Sequence, residues 1–269
     1  MVAFPNCKIN LGLNIVSKRT DGYHDIESVF YPVPWVDFLE IIPAPLPLFK
    51  FDGIKFNCPE NENLCSKAYY LLKSIYKLPE ISLFLYKNIP MGAGLGGGSS
   101  DAAFTISLLN SLFSLNNDEK ILTEIASQIG SDCAFFIHNK PGYICGTGSE
   151  YSPVSLSLKG YQIFIIKPEI SVSTREAYSI IKPQKPEINI NEIIKLPVKE
   201  WKNLLVNDFE EPVFKIFPEI KILKDTLYEQ GAVYASMSGS GSAVYGLFES
   251  DTHINFSFPN CICWKGVLD

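Results

Sequence analysis

The 269-residue chain lacks any stretch approaching eighteen consecutive apolar residues, which excludes a transmembrane helix. Residues 1–10 hold no basic stretch followed by an apolar run, so no secretory signal is expected and a cytoplasmic setting is. Basic charge is also in short supply. Lys and Arg number 23 against 29 Asp and Glu, a net charge of −6. A chain this acidic has no general attraction for nucleic acid or an anionic membrane, and any phosphate-bearing partner must be gripped locally. Only three histidines occur (His24, His138 and His253), too far apart in sequence to suggest a metal cluster. The seven cysteines are odd in number and irregularly spaced, without a C-x-x-C; Cys261-Ile-Cys263 is too close for a standard zinc half-site. Free thiols in a reducing compartment are the expectation.

What is present is core material. Apolar residues make up 46% of the chain and charged ones 19%, enough for one large domain or two modest ones sharing a cleft. No internal repeat or low-complexity tract occurs, and a division into residues 1–157 and 158–269 is expected. Residues 8–15 alternate, with Ile9, Leu11, Leu13 and Ile15 on one face and Lys8, Asn10 and Asn14 on the other, which predicts a strand with one buried and one polar side. Further strands are expected at 29–33 and 36–42, separated by Pro34, and at 81–89, 161–167, 233–237 and 243–248. Asn63 is placed to cap a helix bearing Leu64, Ala68, Leu71, Leu72 and Ile75. A helix from Ser99 or Ser100 shows Ala102, Ala103, Ile106, Leu109 and Phe113 at helical spacing. Another, from Asp118, is expected to stop at Gly130, and residues 182–191 read as a loop. Strands and helices mixed without a regular βαβ rhythm point to an α+β architecture.

The densest chemical signal lies between strand 81–89 and the helix after it. Pro90-Met91-Gly92-Ala93-Gly94-Leu95-Gly96-Gly97-Gly98-Ser99-Ser100 holds five glycines within seven residues. Such a loop admits positive φ and lets main-chain N–H groups approach a ligand closely; at a helix start those donors favour an anion, most obviously a di- or triphosphate. The fingerprint Gly92-x-Gly94-x-x-Gly97 also occurs in dinucleotide sites, but the acidic residue such a site wants after the next strand falls here in a loop between helices. A Walker loop needs Gly-Lys-Ser/Thr, and this loop has no lysine. A cradle of main chain and hydroxyls remains, relying on a divalent cation to offset triphosphate charge. Ser238-Gly239-Ser240-Gly241 is either an ordinary hairpin turn or a second wall of the same site. Asp132, just past Gly130-Ser131, is either a helix cap or a catalytic carboxylate; Lys8, on the polar side of the first strand, could keep a carboxylate ionised and stabilise a developing alkoxide.

Residues 90–103 resemble the signature loop of the GHMP kinases, the superfamily of galactokinase, homoserine kinase, mevalonate kinase and phosphomevalonate kinase. Lys8-Ile-Asn10-Leu-Gly-Leu followed by Arg19-Thr-Asp21-Gly22-Tyr23-His24 is similar to the branch acting on a methylerythritol alcohol that carries cytidine diphosphate. Ile129-Gly-Ser-Asp132-Cys-Ala-Phe-Phe, Gly146-Thr-Gly148-Ser-Glu150 and the turn at 238–241 fall in the same order. The resemblance implies two α+β domains, an N-terminal ribosomal-protein-S5-like one and a C-terminal ferredoxin-like α/β plait, with the active site in the cleft between them. It implies ATP and Mg2+ as cofactors, with Ser100 a candidate hydroxyl for the metal, and a cytidine-bearing small molecule as partner. Asn63 would lie beside the adenine, and Asp132 would be the general base on the 2-hydroxyl with Lys8 as its electrostatic partner. Asn10 and Thr174 would touch the substrate, His24 would hydrogen-bond the cytosine, and Tyr23 and Tyr178 would stack on it. The chain departs from the pattern at Asp101, where asparagine is also common in the family, and after Phe248, where little room remains for the helix that usually precedes the last strand. The rivals are a GHMP kinase of the homoserine or mevalonate class and a non-catalytic nucleotide-binding module.

Overall fold

The computed structural model describes residues 1–54 and 58–269. The chain opens with β1 (Val2–Ala3), β2 (Asn6–Lys18), β3 (His24–Val36), β4 (Phe38–Pro43) and β5 (Leu48–Gly53), followed by α1 (Leu64–Tyr76) and β6 (Ile81–Lys87). Helices α2 (Gly97–Leu112), α3 (Glu119–Ser127) and α4 (Ser131–His138) precede β7 (Gly142–Cys145), β8 (Glu150–Pro153) and β9 (Gln162–Pro168). Then come α5 (Thr174–Ile180), α6 (Ile190–Ile193), α7 (Glu210–Ile216) and α8 (Pro218–Glu229), and the strands β10 (Tyr234–Met237), β11 (Val244–Phe248) and β12 (Cys261–Val267). Among the described residues no helix is long and apolar enough to cross a membrane.

These elements form two compact units, each assembled from separated stretches. The first comprises Met1–Cys7, Trp35–Met91 and Gly96–Lys140; the second comprises Lys8–Pro34, Gly92–Leu95 and Pro141–Asp269. In the first, the sheet runs β1-β4-β6-β5, with β5 parallel to β6 and the other pairs antiparallel. Alternation in β6 sends Ile81, Leu83 and Leu85 inward, where they meet Ala68, Tyr69 and Leu72 of α1 and Ala102, Ile106 and Leu109 of α2. Each large apolar side chain buried there contributes about 1.5–3 kcal/mol relative to exposure. Asn63 caps α1 by accepting from the Cys65 N–H, and Asp118 caps α3 by accepting from Ile121 N–H.

The second unit holds two sheets, β2-β3-β7-β8 and β10-β11-β9-β12. The latter is antiparallel throughout, and its core joins Phe164, Ile166, Met237, Val244 and Phe248 to Phe209, Val213, Ile220 and Leu227. Between Phe248 and β12 there is no helix. Its packing role is taken by irregular chain, with Phe256 set against Phe164 at 4.8 Å between ring centroids and against Phe248 at 6.0 Å.

Four local expectations need correction. Pro34 does not separate two strands: β3 runs to Val36, because its pairing with β7 covers only Ser28, Val29 and Phe30 and the prolines beyond forfeit no bond on that edge. Helix α2 starts at Gly97 rather than at a serine, since Gly96 takes the left-handed conformation and serves as N-cap. Gly130 marks the start of α4, not the end of α3, which closes at Ser127. Finally, the polar side of β2 does not face water, for Lys8, Asn10 and Asn14 are all buried, facing a polar interior.

Candidate active site

In the first compact unit, β6 ends at Lys87 and α2 begins ten residues later; the glycine loop runs between them, its residues Gly92–Leu95 belonging to the second unit. Gly92, Gly94 and Gly96 have φ of 59°, 76° and 70°, so every second residue there is left-handed. The first main-chain donors of α2 have no partner within the helix and point out of its N-terminus, as an anion requires. Ser100 is held in the first turn by its N–H bond to Gly96 O (2.9 Å), and its buried Oγ has no hydrogen-bond partner. Asp132 lies in the first turn of α4, half-buried; the N-cap is Gly130, which makes no side-chain cap bond, so Asp132 is not a capping residue. Helix α4 packs on α2, with Cys133 buried in the same core as Ala102 and Ile106 and near the Ser99 side chain, setting the start of α4 beside the start of α2. Burial pushes the Cys133 thiol up to about 12, which keeps it neutral and inert as a nucleophile.

Beneath the loop lies an ionic group that reasoning from spacing missed. Lys87, 1% exposed, is ion-paired to Asp37 and, at 2.6 Å, to Asp101. Burial pushes the Asp101 carboxyl upward, opposed by the charge of Lys87 and aided by the like charge of Asp37. One sequence signal could have revealed it. Lys87 continues the inward series Ile81, Leu83, Leu85, and a lysine on the apolar side of an alternating strand needs a buried acid.

In the second unit, the polar side of β2 meets both glycine-rich turns. Lys8 Nζ donates to Asn10 Oδ1 at 2.5 Å and sits over the Phe30 ring, 4.1 Å from its centroid. Asn10 Nδ2 donates to Ser28 Oγ (2.9 Å), which donates onward to Gly12 O (2.6 Å), while Tyr245 donates its hydroxyl to Asn10 O (2.6 Å). Lys8 N–H donates to Leu95 O, and Ser238 Oγ donates to Gly94 O at 2.8 Å. The turn at 238–241 therefore packs directly on the middle of the glycine loop. Ser240 Oγ lies 2.9 Å from Thr174 Oγ1.

Asn207 secures this turn from behind. Its Nδ2 donates to Met237 O and Gly239 O, both at 2.8 Å, and its Oδ1 accepts from Phe209 N–H. Asn207→Ala leaves those buried main-chain groups unpaired, and a loss of about 2–4 kcal/mol is expected in urea unfolding. An unchanged urea midpoint would refute the bracing role.

The Arg19–His24 segment is a tight turn between β2 and β3, closed by Arg19 N–H to Tyr23 O and by Asp21 Oδ1 accepting from Tyr23 N–H. Tyr23 projects outward, 67% exposed. His24 instead stacks on Tyr178, with centroids 4.9 Å apart and planes 21° apart, and Tyr178 is backed edge-on by Phe209. The structure thus brings His24 and Tyr178 together and leaves Tyr23 outside the stack.

The GHMP kinases N terminal domain matches residues 63–140 and the GHMP kinases C terminal domain matches residues 191–256. The 4-diphosphocytidyl-2-C-methyl-D-erythritol kinase of Parabacteroides distasonis is 52% identical over 270 residues, and that of Bacteroides thetaiotaomicron 54% over 274, each match covering 100% of both chains. Among solved structures, a 4-(cytidine 5'-diphospho)-2C-methyl-D-erythritol kinase superposes with a TM-score of 0.84 at 29% identity, covering 100% of this chain and 99% of that one. The mevalonate kinase of Methanococcus jannaschii shares the fold, with a TM-score of 0.70 at 14% identity over 94% of this chain and 92% of its own.

Proposed function

Because the chain belongs to the GHMP kinase family, we propose that its glycine loop and the carboxylate of Asp132 together phosphorylate an alcohol. The chain is an ATP-dependent phosphotransferase. Its acceptor is the 2-hydroxyl of 4-diphosphocytidyl-2-C-methyl-D-erythritol, in the non-mevalonate route to isoprenoids. The observation that carries the mechanism is the packing of α4 on α2, which sets the Asp132-bearing turn beside the loop's serines within one compact unit.

The main-chain donors of residues 92–100 hold the triphosphate, and Ser99 and Ser100 add hydroxyls. Asp132 takes the proton of the 2-hydroxyl as its oxygen bonds to the γ-phosphorus. The bond from that phosphorus to the β-γ bridging oxygen breaks, and ADP leaves with the electron pair. Lys8 supplies the positive charge that steadies the developing alkoxide, held in place by Asn10 and by the face of Phe30. Asn63 is assigned to the adenine, its Oδ1 committed to capping α1.

Mg2+ suits this set of oxygen donors. Bound to the triphosphate, such an ion would keep several water ligands. The partnerless Ser100 Oγ is the group that would meet it, and its charge would offset that of the phosphates.

An ADP-release assay with and without the cytidine-bearing substrate tests the assignment; release that ignores the substrate would overturn it. Asn10 and Thr174 serve the polyol, His24 hydrogen-bonds the cytosine, and Tyr23 and Tyr178 stack on it. Tyr178→Ala is expected to raise KM for the cytidine substrate by roughly 5–150-fold, the worth of one base stack, while KM for ATP holds. Equal changes in both constants would remove Tyr178 from the pyrimidine site.

A further inference from the structure

The buried ionic group under the glycine loop has a geometry that stability alone does not explain. Lys87 is the last residue of β6, and Asp101 lies in the first turns of α2, so the pair joins the strand that enters the loop to the helix that leaves it. Asp37, with the oxygen not given to Lys87, accepts the N–H groups of Asn88 (2.5 Å) and Ile89 (2.8 Å), the residues that lead into the loop. Thr105 Oγ1 donates to the Asp101 carbonyl, fixing that turn of α2 in its own register. The approach is close. A Cβ on Gly97 would lie 2.9 Å from Ile89 Cγ2 and 3.3 Å from Lys87 Nζ, so the helix start fits against the strand end only without a side chain.

Three charged groups buried this deeply are a poor means of adding stability, since apolar residues of equal volume do as well or better. What charged hydrogen bonds supply, and apolar contacts do not, is a fixed direction and separation. Resting on the phosphoryl-transfer reading of the loop, we infer that Lys87, Asp37 and Asp101 are positioning residues for the nucleotide. They lock the distance between the end of β6 and the N-terminus of α2, and so the spacing at which the loop's N–H groups converge on phosphate. They act through the main chain of the loop. The departure at Asp101 is accommodated: its Oδ2 accepts from Lys87 while its buried Oδ1 has no hydrogen-bond partner, and asparagine there would still offer that lysine an oxygen.

Asp101→Ala removes the helix-side anchor and leaves the Lys87–Asp37 pair intact, while Asp101→Asn keeps an acceptor; Lys87→Met cuts both arms. In the full chain, Kd for a non-hydrolysable ATP analogue and KM for ATP are expected to rise about tenfold or more in D101A and K87M. KM for the cytidine substrate should stay within roughly twofold, and D101N should return nucleotide affinity to within about threefold of the parent. A folded D101A that binds the analogue like the parent overturns the inference. So does a loss shared equally by both substrates, or a failure of both D101A and K87M to fold, since each marks a purely structural role. If the parent protein does not turn over the cytidine substrate, the assigned function fails, yet analogue affinity still reads the positioning role.

Discussion

Asp132→Asn is expected to cut kcat by about 10²–10⁴-fold, with KM for ATP nearly unchanged. The expectation follows from where the residue sits. Asp132 is in the first turn of α4 but does not cap it, and the helix keeps the backbone bond from Cys133 N–H to Gly130 O whatever side chain stands at 132. Asparagine preserves size and polarity and removes only the capacity to take a proton, so fold and nucleotide grip should survive while the chemical step fails. Steady-state ADP release with the cytidine substrate, beside calorimetric binding of an ATP analogue, separates the two. Turnover at the parent rate would take Asp132 out of the reaction.

Gly94→Ala should be nearly as damaging by a different route. A Cβ at Gly94 would fall 1.9 Å from Ser238 O and 2.7 Å from its carbonyl carbon, and these are main-chain atoms that cannot swing aside. The residue also holds φ at +76°, which any L side chain resists. The two turns must part, Ser238 loses its bond to Gly94 O, and a penalty on the order of 3 kcal/mol or more is expected. Read as nucleotide affinity, that is roughly a hundredfold weakening. Gly92→Ala is the control. Its φ of +59° is also left-handed, but nothing lies within 4 Å of the added methyl group, so only the backbone penalty of about 1–2 kcal/mol applies. Equal effects at the two glycines would show that local strain, not the packing of one turn on the other, sets the loop's shape.

Periodicity made the secondary structure near the site legible. The alternation from Lys8 to Ile15 marked β2, the Asn63 and Asp118 caps marked α1 and α3, and the glycine run after Ile89 marked a loop feeding a helix. Side chains that meet across long separations were not legible. The burial of Lys8 and Asn10 depends on Phe30, Ser28, Ser238 and Tyr245, the last two more than two hundred residues away. Asp37 lies fifty residues before the lysine it pairs with, so no local window contains both. Likewise the stack of Tyr178 on His24 was not legible, because it is set by how α5 places Tyr178 against the end of a distant turn. Short helices such as α5 and α6 escaped notice because four to seven residues leave too few turns for a periodic signal.

The contact between His24 and Tyr178 bears on which molecules the proposed pyrimidine site would reward. Two rings 4.9 Å apart leave no gap for a third, so a cytosine that takes the face of Tyr178 now covered by His24 must first displace that imidazole. Entry exchanges one ring-on-ring contact for two, and the net gain is a single stack. Flat fragments with nothing else to offer begin in deficit, while a ligand bringing a diphosphate and a polyol with it does not. Selectivity for the whole substrate over free cytosine or other bare heterocycles is in this sense written into the resting arrangement of two side chains.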